Sequence, residues 1–255
     1  MIQSIFMPEH SAFNVLAFIG TGLVLFLLSL GFLFALGTRR TVLARRLVAA
    51  AAAGGTAYLA VLLFFSFTSR EENLRKGDRK YFCEIDCHLA YSLEESSRTK
   101  VLGVPPQVVA ARGSFHVVTV RTWFDPSTIA SFRGNGLLKP NPRAVFLVDG
   151  PGRRYAVSPS GQKALEDSRG PSTPLTRVLR PGEAYTTTFV FDLPDWVRRP
   201  RLFLGDAPGV ETLLIDHENS LFHRKVYFEL TSLAIARGPL GNGSLKEATL
   251  VRLSS

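Results

Sequence analysis

The 255-residue sequence predicts two N-terminal transmembrane helices followed by an all-β sandwich, and three observations carry that prediction. Residues 12–36 and 47–67 contain no charged side chain. The connection between them holds four arginines and no acid. From about Arg70 onward the apolar residues alternate, in short runs separated by Gly, Pro and Asp turns.

The two uncharged runs come first. At ~1.5 Å rise per residue they make helices of roughly 37 and 31 Å, against a hydrocarbon core of about 30 Å. A soluble protein would have to enclose both, back to back. A cleaved signal peptide would carry Lys or Arg ahead of a shorter apolar stretch, and neither occurs before Ala12. Both runs therefore read as retained spans. Arg39, Arg40, Arg45 and Arg46 make residues 37–46 a cytoplasmic loop under the positive-inside rule. That places residues 1–11, whose only formally charged side chain is Glu9, and everything after Phe67 outside the cytoplasm.

The formal net charge is +9, of which the loop supplies four and Glu9 subtracts one, leaving +6 after Phe67. Those Lys and Arg residues are scattered, with no helix-turn-helix, zinc-finger or RNA-binding signature, which argues against nucleic acid as a partner. In the juxtamembrane linker, residues 68–79, the basic side chains suit anionic lipid headgroups instead.

The β region is read over residues 80–233, with a Gly-rich extension at 234–255. Lys80 to Leu93 alternates: Tyr81, Cys83, Ile85, Cys87, Leu89 and Tyr91 share one parity, and the spacing predicts one strand with a buried face. Further strands are expected at Ser114–Phe124, Arg143–Val148, Arg154–Val157, Ala184–Asp192, Arg201–Gly205 and Arg224–Leu230, and a last one at Ala248–Leu253. Only Gln162–Asp167 reads as helix, of one or two turns. Asn242-Gly243-Ser244 matches a glycosylation acceptor and otherwise marks a turn. So many short strands with turn signals between them spell a sandwich.

Three blocks carry a family resemblance: Gly113 to Val120, Ala144 to Gly150 with Arg154-Tyr155 after the turn, and Leu179 to Glu183 leading into Phe189 to Pro194. Together they resemble the immunoglobulin-like extracytoplasmic domains of unknown function found in bacterial lipoproteins and membrane-anchored proteins. The resemblance implies an immunoglobulin-like sandwich over about Lys80 to Leu230 and no catalytic residues. With the spans and the loop charge, the expected place is the bacterial inner membrane, and no cofactor is expected.

Both cysteines fall in Tyr81-Phe-Cys-Glu-Ile-Asp-Cys-His88. Covalent haem attachment and thioredoxin chemistry want two residues between the cysteines, and here there are three. In a strand Cys83 and Cys87 would stand ~13 Å apart, beyond disulfide reach; in a helix, about 6 Å. Two spans followed by a β domain also resemble subunit II of haem-copper oxidases, whose copper motif is Cys-x-Glu-x-Cys-x-x-x-His-x-x-Met. Cys83 and Cys87 match its cysteines, whereas Ile85, Tyr91 and Glu94 stand where its Glu, His and Met would fall. A metal site at Cys83, Cys87 and His88, selecting Cu(I) or Zn, is thus the alternative to a buried strand face. Asp216, His217, Glu218 and His223 are a second metal candidate, against a plain polar loop.

Trp196, with Arg198 and Arg199, reads as a core anchor, a partner contact or an element dipping into headgroups. Gly20, Gly22, Gly31, Gly54 and Gly55 offer small surfaces for packing the helices on each other or on another subunit. No Gly-x-Ser-x-Gly elbow, His-Glu-x-x-His, phosphate loop or dinucleotide fingerprint is present. The expected role is a non-catalytic accessory or interaction protein, with membrane lipid and other membrane subunits as its partners.

Overall fold

A computed structural model describes residues 5–6, 12–82, 88–129, 133–207, 209–230 and 233–235. Helices α1 (Ala12–Gly37) and α2 (Thr41–Thr68) form an antiparallel hairpin. The chain reverses over three residues, with Arg39 in the left-handed region at φ 57° and Arg40 N–H bonded to Ala35 O. Both helices are long and apolar enough to cross a membrane. Their large side chains, Phe13, Leu16, Phe64 and Phe67 among them, lie on the outside. Exposed apolar surface of this kind is stable in lipid rather than in water. At Gly31 a Cβ would come 3.3 Å from Leu47, so this glycine lets the helices close; Gly20, Gly22, Gly54 and Gly55 face open space. α2 begins six residues earlier than the uncharged run. Arg45 and Arg46 therefore lie in its first turns, because Thr41 to Leu47 has no residue that breaks a helix.

After the helices the chain forms two sheets. The first orders β1 (Ile5–Phe6), β3 (Arg79–Phe82), β4 (Leu89–Val104), β5 (Gln107–Phe124) and β8 (Ala184–Leu193), with β11 (Leu233–Ile235) also on β4. The second orders β2 (Glu72–Leu74), β10 (Val226–Glu229), β9 (Arg201–Asp206), β6 (Arg143–Val148) and β7 (Arg154–Tyr155). Leu89, Tyr91, Val118, Val120 and Phe191 of the first sheet share one core with Leu147, Leu202, Leu204, Val226 and Phe228 of the second. Each such side chain, fully buried, contributes roughly 1.5–3 kcal/mol. A helix α3 (Pro159–Arg169), N-capped by Ser158, covers the other face of the first sheet through Leu165 on Phe115, Val117 and Val190. At Gly113 the end of β8 crosses so closely that a Cβ would lie 2.2 Å from Leu193 O. Only glycine fits there.

Strand directions define two poles. β2 leaves α2 and runs parallel to β10, pairing Glu72 with Val226 and Leu74 with Phe228. β9 runs against β10 and β6 against β9, so Asp206 and Arg143 fall at the helix-facing pole, Arg201 and Val148 at the remote one. The outer half of the β4–β5 hairpin also belongs to the remote pole, since Arg98 and Lys100 reach Asp195 in the β8–β9 connection.

Several expectations change. Lys80 to Leu93 is not one strand: β3 and β4 are antiparallel, with Phe82 paired to Leu89, so the chain turns back between them. Tyr81, Leu89 and Tyr91 of the predicted inward parity are buried, but so are Phe82, His88 and Ala90 of the other, and Phe82 packs in the core beside Leu89 and Tyr91. Alternation reports which face a residue takes, not the direction of the chain. The linker contains β2, the hairpin extends well past Ser114, and α3 is three turns long. Cys83, Cys87, the Asn242 tripeptide and the Ala248–Leu253 strand lie outside the described residues.

Candidate functional site

The helix-facing pole is built from the connection between β9 and β10, which leans on α2. A short 3-10 turn at Val210–Leu213 brings the carbonyl of Leu213 to the Tyr58 hydroxyl, which donates to it at 2.7 Å. Phe222 stacks on Phe67 with centroids 5.6 Å apart, and the Arg224 N–H donates to Ser69 Oγ at 2.9 Å. Asp216 and Phe222 take left-handed backbone angles, φ 58° and 63°, which fold the connection tightly enough to be its own partner. Within it, Asn219 N–H donates to His217 Nδ1 at 2.9 Å and Asn219 Nδ2 to Asp206 O at 2.8 Å.

Behind this connection lies a buried ion pair. Lys80, 1% exposed, donates from Nζ to Leu204 O and to both Glu218 carboxylate oxygens, each at 2.8 Å. Glu218 also accepts from Val226 N–H at 2.9 Å. Burial draws the Lys80 ammonium below the usual lysine range, Glu218 opposes that shift, and neighbouring Arg143 adds to it. Arg143 pairs with Asp206 and lies 4.1 Å from the Phe82 ring. The pair ties β3 of one sheet to the β9–β10 connection of the other. Such a pair is costly to break from one side, since the remaining charge is left without a partner in a poorly solvating place.

Beside it opens a cavity of about 400 Å³ lined by Phe6, Ser69, Arg70, Glu72, Asp216, Glu218, His223 and Arg224. Its charges are mixed. His223 Nε2 faces Asp216 Oδ1 at 3.5 Å. The Ser69 hydroxyl donates to Ser66 O at 2.6 Å while accepting from Arg224, so it is committed to structure. A general base would have to displace one of those bonds to activate it.

The residues expected to bind metal fare differently. Among the described residues no group of three or more His, Cys, Asp or Glu side chains could hold a metal ion. In the segment 216–223 Asp216 and His223 approach each other; Glu218 is taken by Lys80, and His217 is buried with Nδ1 accepting from Asn219. His88 is buried 4.8 Å from the Phe124 ring. Cys83 and Cys87 are outside the described residues, and the copper alternative finds no support among those described.

Trp196 is 55% exposed, which overturns the core-anchor reading. Val197 next to it turns inward instead, and the Arg153 guanidinium lies 4.1 Å from the centre of the indole ring. Arg198 and Arg199 are exposed beside it. All three belong to the remote pole, away from α2, about a strand length from the helix end. Asp195 anchors this shelf, accepting from Lys100 and Ser114 at 2.5 Å and from Arg98 at 3.0 Å, which holds its carboxyl down to about 2. Lys80, Tyr58, Leu213 and Phe222 are not legible as parts of a site, and Glu218 only as a metal candidate, because the contacts among them span up to 155 residues of sequence.

The sequence matches no protein-family profile and no curated protein. Two solved structures are similar to parts of it. One is a conserved hypothetical protein from Bacillus anthracis, 16% identical over 49% of this chain and 89% of that one, TM-score 0.36. The other is MPT63, a secreted protein from Mycobacterium tuberculosis, 13% identical over 64% of this chain and 99% of that one, TM-score 0.38. Likeness at that level carries no inference about family or role.

Proposed function

We propose that the chain is a non-catalytic accessory or interaction protein of the bacterial inner membrane, holding an immunoglobulin-like sandwich outside the cytoplasm. The observation that carries this reading is the way the β domain is mounted. It docks on its own anchor through Tyr58, Phe67 and Ser69, and turns the Trp196 shelf to the opposite pole. An exposed Trp backed by Arg153, Arg198 and Arg199 is the composition of a protein-contact hot spot. Two sheets on one core support the immunoglobulin-like description. The pairing of β1 with β3 supports the topology, since it brings the segment before α1 to the same side as the domain after α2. The four loop-side arginines support the orientation. Mild-detergent extraction, sizing and mass spectrometry test the reading. A defined larger assembly that falls apart on Trp196→Ala with Arg153→Ala is expected; a monodisperse chain that co-purifies with nothing overturns it.

A further inference from the structure

The connection 209–222 inverts the usual rule for surface loops. Its well-exposed residues are Gly209, Val210, Leu213, Leu221 and Phe222, without a polar side chain among them. His217, Asn219 and Ser220 of the same stretch are buried. A loop in water does the opposite.

Its position along α2 gives the reason. Leu213 O is bonded to Tyr58, ten residues before the helix ends at Thr68, or about 15 Å along the axis. If the hydrocarbon starts after Arg46, about 30 Å of helix reaches Phe67, and Leu213 lies some 13 Å below that boundary. If Arg45 and Arg46 snorkel and the hydrocarbon starts at Thr41, the boundary falls near Ala60, still above Tyr58. In both placements the connection meets acyl chains.

Irregular backbone survives there only when its polar groups are satisfied within the protein. Here Thr212 N–H bonds to Gly209 O, Leu214 N–H to Glu211 O, Leu221 N–H to Thr212 O, and Ser220 Oγ to Leu214 O. The deeper placement would set the Glu211 carboxylate close to the midplane, so this side chain selects the shallower one, in which the turn lies just below the headgroups.

Resting on the reading that α1 and α2 cross the bilayer, we propose that residues 209–222 form a wedge seated in the outer leaflet against α2. Val210, Leu213, Leu221 and Phe222 are then covered by lipid acyl chains. The domain is thereby held to the membrane at a second point and cannot swivel on the Ser69 junction.

The test places p-benzoylphenylalanine in the full chain at Val210, Phe222, Phe64 or Val104, reconstituted in phosphatidylethanolamine–phosphatidylglycerol vesicles. After irradiation, mass spectrometry reads the adducts. Lipid adducts at 210 and 222 are expected within a few-fold of those at 64 and at least ten-fold above those at 104, the exposed hairpin tip at the remote pole. Adducts at 64 but not at 210 and 222 overturn the wedge and leave the spans standing. None at 64 overturns both. Protein adducts at 210 and 222, or equal lipid yield at 104, also overturn the wedge. Two wedge positions, each on an exposed side chain, guard against one variant failing to fold.

Discussion

The connections at the two ends of β9 differ in what they show to their surroundings. Residues 194–200, entering the strand, expose Asp195, Trp196, Arg198 and Arg199. Residues 209–222, in the connection leaving it, expose Val210, Leu213, Leu221 and Phe222, bury His217 and Asn219, and turn Glu218 inward onto Lys80 of β3. One strand thus separates a surface built for water from one built for another solvent. The contrast teaches that exposure has meaning only relative to the medium. An apolar loop that looks like an error on a soluble domain becomes ordinary beside a spanning helix.

The largest expected effect strikes the core of the helix-facing connection. Glu218→Ala leaves the Lys80 ammonium buried without its partner and should cost about 3–5 kcal/mol of unfolding free energy. Lys80→Met combined with Glu218→Leu should recover most of it. Denaturant titration in detergent measures both, and equal losses for the single and double variants would remove the pair from this account.

Next comes the remote pole, through pH. His116, buried beside Arg98 and Pro200, has its pKa pushed down to about 4 by desolvation and then by the Arg98 charge. Unfolded, the same ring titrates near 6.5. Between those values the unfolded chain holds more protons, so stability present above pH 6.5 is lost as pH falls toward 4. The loss is on the order of 3 kcal/mol. His116→Phe should flatten the slope in that window, and an unchanged slope would assign it to other groups.

A smaller change tests the mounting. Tyr58→Phe deletes one hydrogen bond to Leu213 O and should cost about 1–3 kcal/mol, because the carbonyl has no water to turn to in lipid. A loss below about 0.5 kcal/mol would mean that water reaches the site. The smallest effect is expected at the shelf. Trp196→Ala gives up a cation–π contact with Arg153 worth about 0.5–1 kcal/mol and should leave the thermal midpoint nearly unmoved. A large drop would make Trp196 structural and break the contrast between the two poles.

How much of this the sequence discloses depends on the range of the forces involved. Arg143–Val148 is recovered to the residue, because an apolar run closed by Asp149-Gly150 needs no distant information. The two helices are equally plain, since twenty uncharged residues have few other uses. The reversal between Phe82 and Leu89 is hidden because alternation continues through it in the same phase. The polar stretch from Glu94 to Lys100 carries no apolar alternation to mark it, yet it is strand, held by its partners in β5. The site is the least legible part. Lys80 finds Glu218 across 138 residues, and nothing near either one announces the other.

The pairing of Ile5 with Arg79 and Phe6 with Lys80 bears on how the protein is made. A segment synthesised before the first helix closes the edge of a sheet whose central strands leave the ribosome only after the second. On the proposed topology both must meet on the far side of the bilayer. The leading segment has therefore already crossed, and waits there, when β3 emerges. Biogenesis is thereby given an order: the helical hairpin inserts first, and the waiting segment then serves as a primer on which the sheet is assembled.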